Sequence, residues 1–440
     1  MDDPVVYEPA AEAMAPEARR DLQGGRLSAL VDRLLRVGGP QADRLRDAGV
    51  TRGAEVGLDD LPRLPTTAKA DLWASYPLGL HAVAPSALAA VHGSSGTGGR
   101  PTLVGYTHAD LALWARVCAR ALAAAGARRG WTIHNAYGYG LFTGGIGIHQ
   151  GALALGVTVV PASGGMTARQ LRLIEDLRPQ VLTCTPSYAV VLGEAARRDG
   201  ADISSLVAGV FGAEPWSEAM RAELQQLLGL TALDIYGLSE VIGPGVASEC
   251  LEQAGLHVNE DHFLVEAVDP VTGRPVADGS IGELVFTTPT REALPLLRYR
   301  TGDLASLDHR PCGCGRTLVR MSKVVGRRDD MLVIRGVNVY PSEVEAVLVA
   351  DPAVGPHYQL VVDRRGGTPE LIVACESAAA GAEAATGRLV DALRERLGVR
   401  AQVVVCATGS LPRTETGKAI RVATWTDGPP PLPGMGPLPG

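Results

Sequence analysis

The sequence predicts an α/β protein: a large N-terminal domain of parallel sheet covered by helices, extended by a β-rich part, and then a small α+β domain. Three observations carry this. The chain has 440 residues, more than one ordinary core accommodates. Between about Leu88 and Ala213, short apolar strand candidates alternate with Ala-rich helical runs, the texture of crossover units around a parallel sheet. After residue 330 the order becomes strand, helix, strand, strand, helix, strand.

The N-terminal domain is expected over residues 1–326 and opens with a helical cap over about 1–85, where Ala, Leu and Arg recur at roughly helical period through EAMAPEARRDLQGGRLSALVDRLLRV. The alternating region follows, as LALWARVCARALAAAG, WTIHNAYGYG, LALGVTVVPA, QLRLIEDL and VLTCTP. Sites in such sheets lie at the carboxyl ends of strands. Residues 260–326 form the β-rich part, with FLVEAVDPVTGRPV and IGELVFTT broken by turns. Residues 327–330, within GRRDD, read as a hinge, and 331–427 as the α+β domain, through MLVIRGVNVYP, SEVEAVLVA, YQLVVD, ELIVACE, TGRLVDALRERLG and AQVVVC. The tail at 428–440, GPPPLPGMGPLPG, has too much Pro and Gly for a helix or central strand and is expected to be mobile.

Apolar residues at 46% and charged residues at 20% are those of a globular protein, far from the disordered regime. The formal charge of -7 comes without a long single-sign run that would track a phosphate backbone, so nucleic acid is excluded as a partner. MDDPVVYEPA is acidic and lacks the apolar core of a secretory signal, and no stretch is long and apolar enough to span a bilayer. A cytoplasmic enzyme without a membrane partner is expected. Seven dispersed cysteines argue against a disulfide framework.

The segment HGSSGTGGRP, His92 to Pro101, can cradle phosphate oxygens with backbone N–H groups and hydroxyls. It is not a Walker loop, because the spacing fails and the Lys is missing. Taken alone, such a loop is more often a mere turn. Five further segments follow in order: FGAEPW at 211–216, DIYGLSE at 234–240, YRTGD at 299–303, GRRDDMLVIRGVNVYPSEVE at 326–345 and LPRTETGK at 411–418. Together they resemble the acyl-adenylate-forming superfamily of acyl-CoA synthetases, carrier-protein adenylation domains and luciferases. VGYTHADLALWA, AYGYGLFTGG, TCTPSYA, YGLSEVIGPGVASEC, NEDHFLVEAVDP, RYRTGDL and DDMLVIRGVNVYPSEVE resemble the phenylacetate-CoA ligase family more closely, from about Tyr7 to Val422.

That resemblance implies activation of a carboxylic acid with ATP and Mg2+ to an acyl adenylate, then transfer to the thiol of coenzyme A. Such chemistry needs positioned reactants and offset charge. Lys418 matches the family's lysine at the reacting carboxylate and α-phosphate, and Glu240 is the candidate Mg2+ ligand, since Mg2+ takes one or two carboxylates plus nucleotide oxygens. Ser94, Ser95, Gly96, Thr97, Gly98 and Arg100 are the phosphate-loop candidates; Ala213, Glu214, Pro215, Asp234, Tyr236, Gly237 and Ser239 complete the nucleotide set. Tyr236 offers a flat face for adenine, and Asp303, with Arg327 nearby, matches the carboxylate that accepts from two ribose hydroxyls. The family's small domain rotates after adenylation; Asp329 occupies the hinge position and Gly336 the loop lining the thiol tunnel. Tyr137, Phe142, Gly144, Ala213, Tyr236 and Gly237 are the acid-pocket candidates, an apolar slot suited to an aryl or arylacetic acid. The competing readings are a solvated carboxylate for Glu240, a structural ion pair for Asp303 and Arg327, a surface lysine for Lys418, a plain linker for the hinge and core packing for the pocket.

Cys250, His257, Cys312 and Cys314 form a closed tetrahedral Zn2+ set by ligand type, and phenylacetate-CoA ligase-like chains show the same Cys/His and Cys-x-Cys pairing; free buried thiols are the alternative. Cys118, Cys184, Cys375 and Cys406 sit in apolar periodic runs and are expected in the core. Two departures stand out. The phosphate loop reads SSGTGGRP where relatives have SSGTTGKP, so Gly98 replaces a hydroxyl and Arg100 a lysine, which predicts weaker nucleotide binding. RLLRVGGPQADRLRDAG lacks the Asn-Val-Pro-x-Tyr run common in relatives, leaving open the role of this region and of a homodimer built on it. Three functions compete: an aryl-acid CoA ligase, a stand-alone adenylating enzyme that loads an acyl carrier protein or another nucleophile, and a non-catalytic scaffold that kept the fold.

Overall fold

The computed structural model describes residues 6–94, 101–328, 331–335, 337–355, 357–366, 369–377, 382–411, 421–429 and 431–432. The helical cap is built on Pro16–Val37, whose Leu27, Leu30, Val31 and Leu34 recur at helical spacing and are buried with Leu45, Leu61, Leu64, Leu264 and Leu297. The helix stops where Gly38 and Gly39 take φ values of 82° and 81°, and Pro40 starts the next helix, Pro40–Asp47.

Among the described residues the main sheet has nine strands. Five of them run parallel, in the spatial order Thr158–Val160, Thr132–Asn135, Val181–Cys184, Ala208–Gly212, Thr231–Leu238. Helices Gly144–Leu155, Thr167–Leu177, Pro186–Asp199 and Glu218–Leu228 make the four connections, and His108–Ala124 leads into the strand Thr132–Asn135. The sheet then turns antiparallel through Gly243–Ser248, Leu256–Val258, Arg320–Met321 and Leu307–Asp308. Thr231–Leu238 is therefore the boundary between the parallel and antiparallel halves, and DIYGLSE begins on it. A topological switch lies at Thr132–Asn135, because the chain goes first to one side of that strand and then to the other. The rest of the β-rich part is a separate antiparallel sheet of Leu264–Val268, Gly282–Thr287, Tyr299–Ala305 and Gly326–Arg327.

The small domain carries the sheet Ala401–Ala407, Glu370–Ser377, Tyr358–Asp363, Val422–Trp425, with helices Pro341–Ala350 and Ala382–Leu397. Four details differ from the sequence reading. WTIHNAYGYG is strand only over Thr132–Asn135. The LAL of LALGVTVVPA ends the helix Gly144–Leu155, which Gly156 closes in the left-handed conformation, so the strand starts later, at Thr158. MLVIRGVNVYP is a hairpin of Leu332–Ile334 and Val337–Val339 rather than one strand, with Arg335 at φ 50°. Within the segment read as a mobile tail, Leu432 is buried against Leu411 and Trp425. No described helix is long and apolar enough to cross a membrane.

Candidate active site

Thr231–Leu238 is bulged at Tyr236 and Gly237 against Gly243–Ser248. A Cβ at Gly237 would stand 1.8 Å from the Gly243 carbonyl oxygen, so the close approach of the two backbones admits only glycine. The bulge sets the Tyr236 ring on Phe286, with centroids 5.9 Å apart and planes at 26°. Its phenol donates to Asp303 Oδ2 at 2.7 Å. Burial, and next the Asp303 charge, push this phenol well above its ordinary pKa, so it remains a donor. Arg327 Nη1 donates to Asp303 Oδ1 at 2.9 Å, the two residues being register partners on neighbouring strands. Tyr236, Asp303 and Arg327, widely separated in sequence, thus form one chain of hydrogen bonds. An ion pair between Asp303 and Arg327 exists, as the structural reading required, and Tyr236 links it to the strand Thr231–Leu238, just beyond whose end Glu240 lies.

Glu240 is 3% exposed, which eliminates the solvated surface carboxylate. Ser94 Oγ donates to Glu240 Oε1 at 3.2 Å, and Lys69 Nζ lies 3.7 Å from the same oxygen. Ser239 Oγ shares a hydrogen bond with Thr143 Oγ1 at 3.2 Å. The start of the Gly/Ser loop, the end of DIYGLSE and the start of the helix Gly144–Leu155 therefore converge. Sequence reasoning missed Lys69: it opens the short helix Lys69–Ala74 in the cap, and nothing in TTAKADL by itself points to the site. Ser95, Gly96, Thr97, Gly98, Arg100, Asp329, Gly336 and Lys418 lie outside the described residues.

In FGAEPW, Ala213 is held at φ 73°, a conformation that alanine rarely takes and that marks a backbone fixed by its surroundings. Glu214 Oε1 accepts from the Ser187 backbone N–H at 2.8 Å, in the first turn of Pro186–Asp199; Pro215 next to it is exposed. Asp234 is buried behind them. Burial pushes its carboxyl up to about 7, and Lys323 pulls the other way. Lys323 Nζ sits 3.4 Å from the centroid of the Trp216 ring and 3.3 Å from Glu218 Oε1. Asp234 thereby belongs to the framework that braces the strand.

At the topological switch, Asn135 Nδ2 donates to Tyr139 Oη and the Gly145 carbonyl, both at 2.8 Å, while its Oδ1 accepts from Thr183 at 2.9 Å. Tyr139 Oη lies 3.1 Å from His149 Nδ1. This polar hub, absent from the sequence-derived pocket, orders the loop AYGYGLFT. Tyr137 is buried in a cluster with Ile133, Ile148, Val210 and Ile235, and a Cβ at Gly144 would touch its ring at 3.4 Å. Burial, with Cys184, Asp234 and Glu214 adding negative charge, holds the Tyr137 phenol well above its ordinary pKa. Tyr137 and Gly144 are in contact, whereas Phe142 is 55% exposed and not part of a packed slot.

Cys250, His257, Cys312 and Cys314 come together with all four ligand atoms within 4.8 Å of one another. Pairing of Leu256–Val258 with Arg320–Met321 closes the long sequence gap. Cys250 Sγ and Cys312 Sγ are 3.8 Å apart, and Cys314 Sγ lies 3.4 Å from His257 Nε2. A tetrahedral ion with Zn–S of about 2.3 Å and Zn–N of about 2.0 Å has edges of roughly 3.8 and 3.5 Å, so the donor set fits Zn2+ in type and spacing. Cys118, Cys184 and Cys375 are buried, and Cys406 is half-buried, in keeping with core positions.

The AMP-binding enzyme family matches residues 31–291, and the AMP-binding enzyme C-terminal domain matches 336–424. The chain is 52% identical over 442 residues to the phenylacetate-coenzyme A ligase of Thermus thermophilus, covering 95% of this chain and 99% of the relative. It is 50% identical to the phenylacetate-coenzyme A ligase of Escherichia coli, covering 83% and 85%. Among solved structures, a 2-hydroxyisobutyryl-CoA ligase in the postadenylation state, with R3-HIB-AMP, superposes with a TM-score of 0.89 at 28% identity, covering 96% of this chain and 93% of that one. The same ligase in the thioesterification state, with 2-HIB-AMP and CoA, gives 0.71 at 29% identity, covering 95% and 92%. From the two-domain fold, the convergent site and these likenesses, the chain belongs to the AMP-binding enzyme family, in its phenylacetate-CoA ligase-like branch.

Proposed function

We propose that the chain is an AMP-forming acid–CoA ligase whose substrate is an aryl or arylacetic acid. In the first half-reaction a carboxylate oxygen of the acid bonds to the α-phosphorus of ATP, and the bond to pyrophosphate breaks. In the second, the CoA sulfur bonds to the acyl carbon, AMP leaves with the electron pair of its phosphate oxygen, and the thiol proton goes to solvent. Asp303, fixed by Tyr236 and Arg327, accepts from the ribose hydroxyls. Glu240 would hold Mg2+, which when bound supplies positive charge beside the phosphates; Lys69 and Ser94 keep its carboxylate oriented. Lys418 contributes a positive donor to the first half-reaction, and Asp329 and Gly336 serve the hinge and thiol tunnel. Tyr137 and Gly144 form the wall of the acid pocket, and the Asn135–Tyr139–His149 hub fixes its loop. Cys250, His257, Cys312 and Cys314 would hold a structural Zn2+ that ties the antiparallel strands together.

The observation that carries this reading is the Tyr236–Asp303–Arg327 chain at the same strand end as the buried Glu240, in a protein about half identical to phenylacetate-coenzyme A ligases. The test is a panel of phenylacetic, benzoic and hydroxyanthranilic acids with ATP and Mg2+, scored for AMP and thioester with CoA, with a carrier protein and with neither. Acid-dependent AMP with acyl-CoA is the expected result. AMP release with thioester only on the carrier protein would replace CoA as the acceptor.

A further inference from the structure

Among the buried carboxylates of the small domain, Glu345 is the one that reaches across to the large domain, and the proposed chemistry leaves it unused. Glu345, on the helix Pro341–Ala350, is 3% exposed and faces the large domain. Its Oε1 accepts from the Ser217 backbone N–H at 2.9 Å, and its Oε2 accepts from Tyr358 Oη at 2.8 Å. Ser217 caps the helix Glu218–Leu228, its Oγ accepting from the Met220 N–H at 3.1 Å, so Glu345 occupies a helix N-terminus where a negative charge is favoured. Burial, and next the charge of Glu345, push the Tyr358 phenol well above its ordinary pKa, which keeps it donating.

The other face of Tyr358 leads back to the site. The Arg421 guanidinium lies over the Tyr358 ring at 4.3 Å, and Arg421 Nη2 donates to Ser187 Oγ at 3.3 Å, in the first turn of Pro186–Asp199. Leu360 N–H donates to the Arg421 carbonyl at 2.7 Å, fixing the start of the strand Val422–Trp425. Arg421 is three residues beyond Lys418. At the rim, His357 Nε2 lies 3.2 Å from both carboxylate oxygens of Glu194.

We propose that Glu345, through Tyr358 and Arg421, is the positioning residue that seats the small domain on the two helix N-termini at Ser187 and Ser217 and so delivers the Lys418 segment for adenylation. Glu345 touches neither nucleotide nor acid; it acts on which orientation the small domain holds. The inference rests on the ligase reading above, because it assigns the seat to the first of two half-reactions. The seated arrangement superposes better on the postadenylation structure of the 2-hydroxyisobutyryl-CoA ligase than on its thioesterification structure. Three of these contacts cross to the large domain, Glu345 to Ser217, Arg421 to Ser187 and His357 to Glu194, so rotation of the small domain would break those three together, while the Glu345–Tyr358 hydrogen bond and the Arg421–Tyr358 stacking stay within the small domain and hold the three crossing groups as one unit.

The experiment separates the half-reactions in the full chain. Acid-dependent ATP–pyrophosphate exchange with phenylacetate reads adenylation; thioester formation from supplied phenylacetyl adenylate and CoA reads the second step. Glu345→Ala is expected to lower exchange by about tenfold or more, the worth of one charged hydrogen bond in an orientation equilibrium, while thioester formation is unchanged or faster. Tyr358→Phe keeps the ring under Arg421 and removes one donor; exchange should fall by about threefold with the second step intact. It also decides the matter alone if Glu345→Ala does not fold. Equal losses in both half-reactions, or no loss in exchange, would overturn the proposal. A wild-type chain that exchanges with none of the acids would contradict the ligase reading instead, a separate outcome.

Discussion

Replacing Asp303 by Asn changes charge while keeping shape, and the structure says which way the amide must face. Arg327 Nη1 can only donate, so the Asn oxygen stays on the Arg327 side; the amide N–H2 turns to Tyr236 Oη, which can accept as well as donate. The hydrogen-bond chain therefore survives, and the Arg327 side chain is 30% exposed, so the loss of its ion pair costs about 1 kcal/mol of stability. The loss in nucleotide binding is larger. A hydrogen bond to a charged acceptor contributes roughly 1.5–3 kcal/mol and one to a neutral acceptor roughly 0.5–1.5, so two ribose hydroxyls lose about 2–3 kcal/mol. That is about 30–150-fold in kcat/KM for ATP. The assay is pyrophosphate exchange at saturating acid with ATP varied, alongside a thermal melt. A drop of less than about threefold with an intact melt would refute the ribose role and the reasoning from acceptor charge.

Three further predictions concern Lys69, the cysteine set and Glu223. Lys69→Ala removes the cation 3.7 Å from Glu240 and should slow exchange by roughly tenfold at fixed Mg2+, partly recovered by raising Mg2+; an unchanged rate would remove Lys69 from the site. Metal analysis of the purified chain should find about one Zn per chain, and Cys312→Ser should release it and lower the melting temperature. A metal-free wild type of equal stability would end the zinc assignment. Glu223, beside Glu194 and Glu345, is raised from 4.5 to about 7 by burial and then by the Glu194 charge. A carboxyl whose folded value is raised stabilises most below its unfolded value, so its contribution is lost as pH climbs from about 4.5 through 7. Glu223→Gln should flatten the fall in melting temperature across that window, and an identical pH profile would contradict the assignment.

Much of the architecture was legible because it is written in local patterns. Helical spacing of Leu27, Leu30, Val31 and Leu34 marks the cap, and the alternation after Leu88 marks the crossover units. What was not legible depends on tertiary pairing. MLVIRGVNVYP has the apolar character of one strand, and only the turn at Arg335 divides it. Val422–Trp425 is short, and it becomes a strand by lying parallel to Tyr358–Asp363. Within the site, DIYGLSE and YRTGD point to Tyr236, Glu240 and Asp303 through their resemblance to the family's motifs, and the backbone approach at Gly237 is visible only in the fold. Lys69 and Asn135 carry no such local mark: one arrives from the cap, and the other acts through a hub assembled from Thr183, Tyr139 and Gly145. The cysteine set was legible in ligand type, but its closure over sixty-two residues from Cys250 to Cys312 needed the strand register at His257.

The central claim is ATP-driven formation of an acyl-CoA, and the most direct measurement follows AMP, pyrophosphate and thioester together in one reaction of phenylacetate, ATP, Mg2+ and CoA. The account predicts equal amounts of AMP, pyrophosphate and phenylacetyl-CoA, all dependent on the acid, and their joint loss in Lys418→Ala. AMP without acyl-CoA, ADP in place of AMP, or turnover indifferent to Lys418→Ala would contradict it.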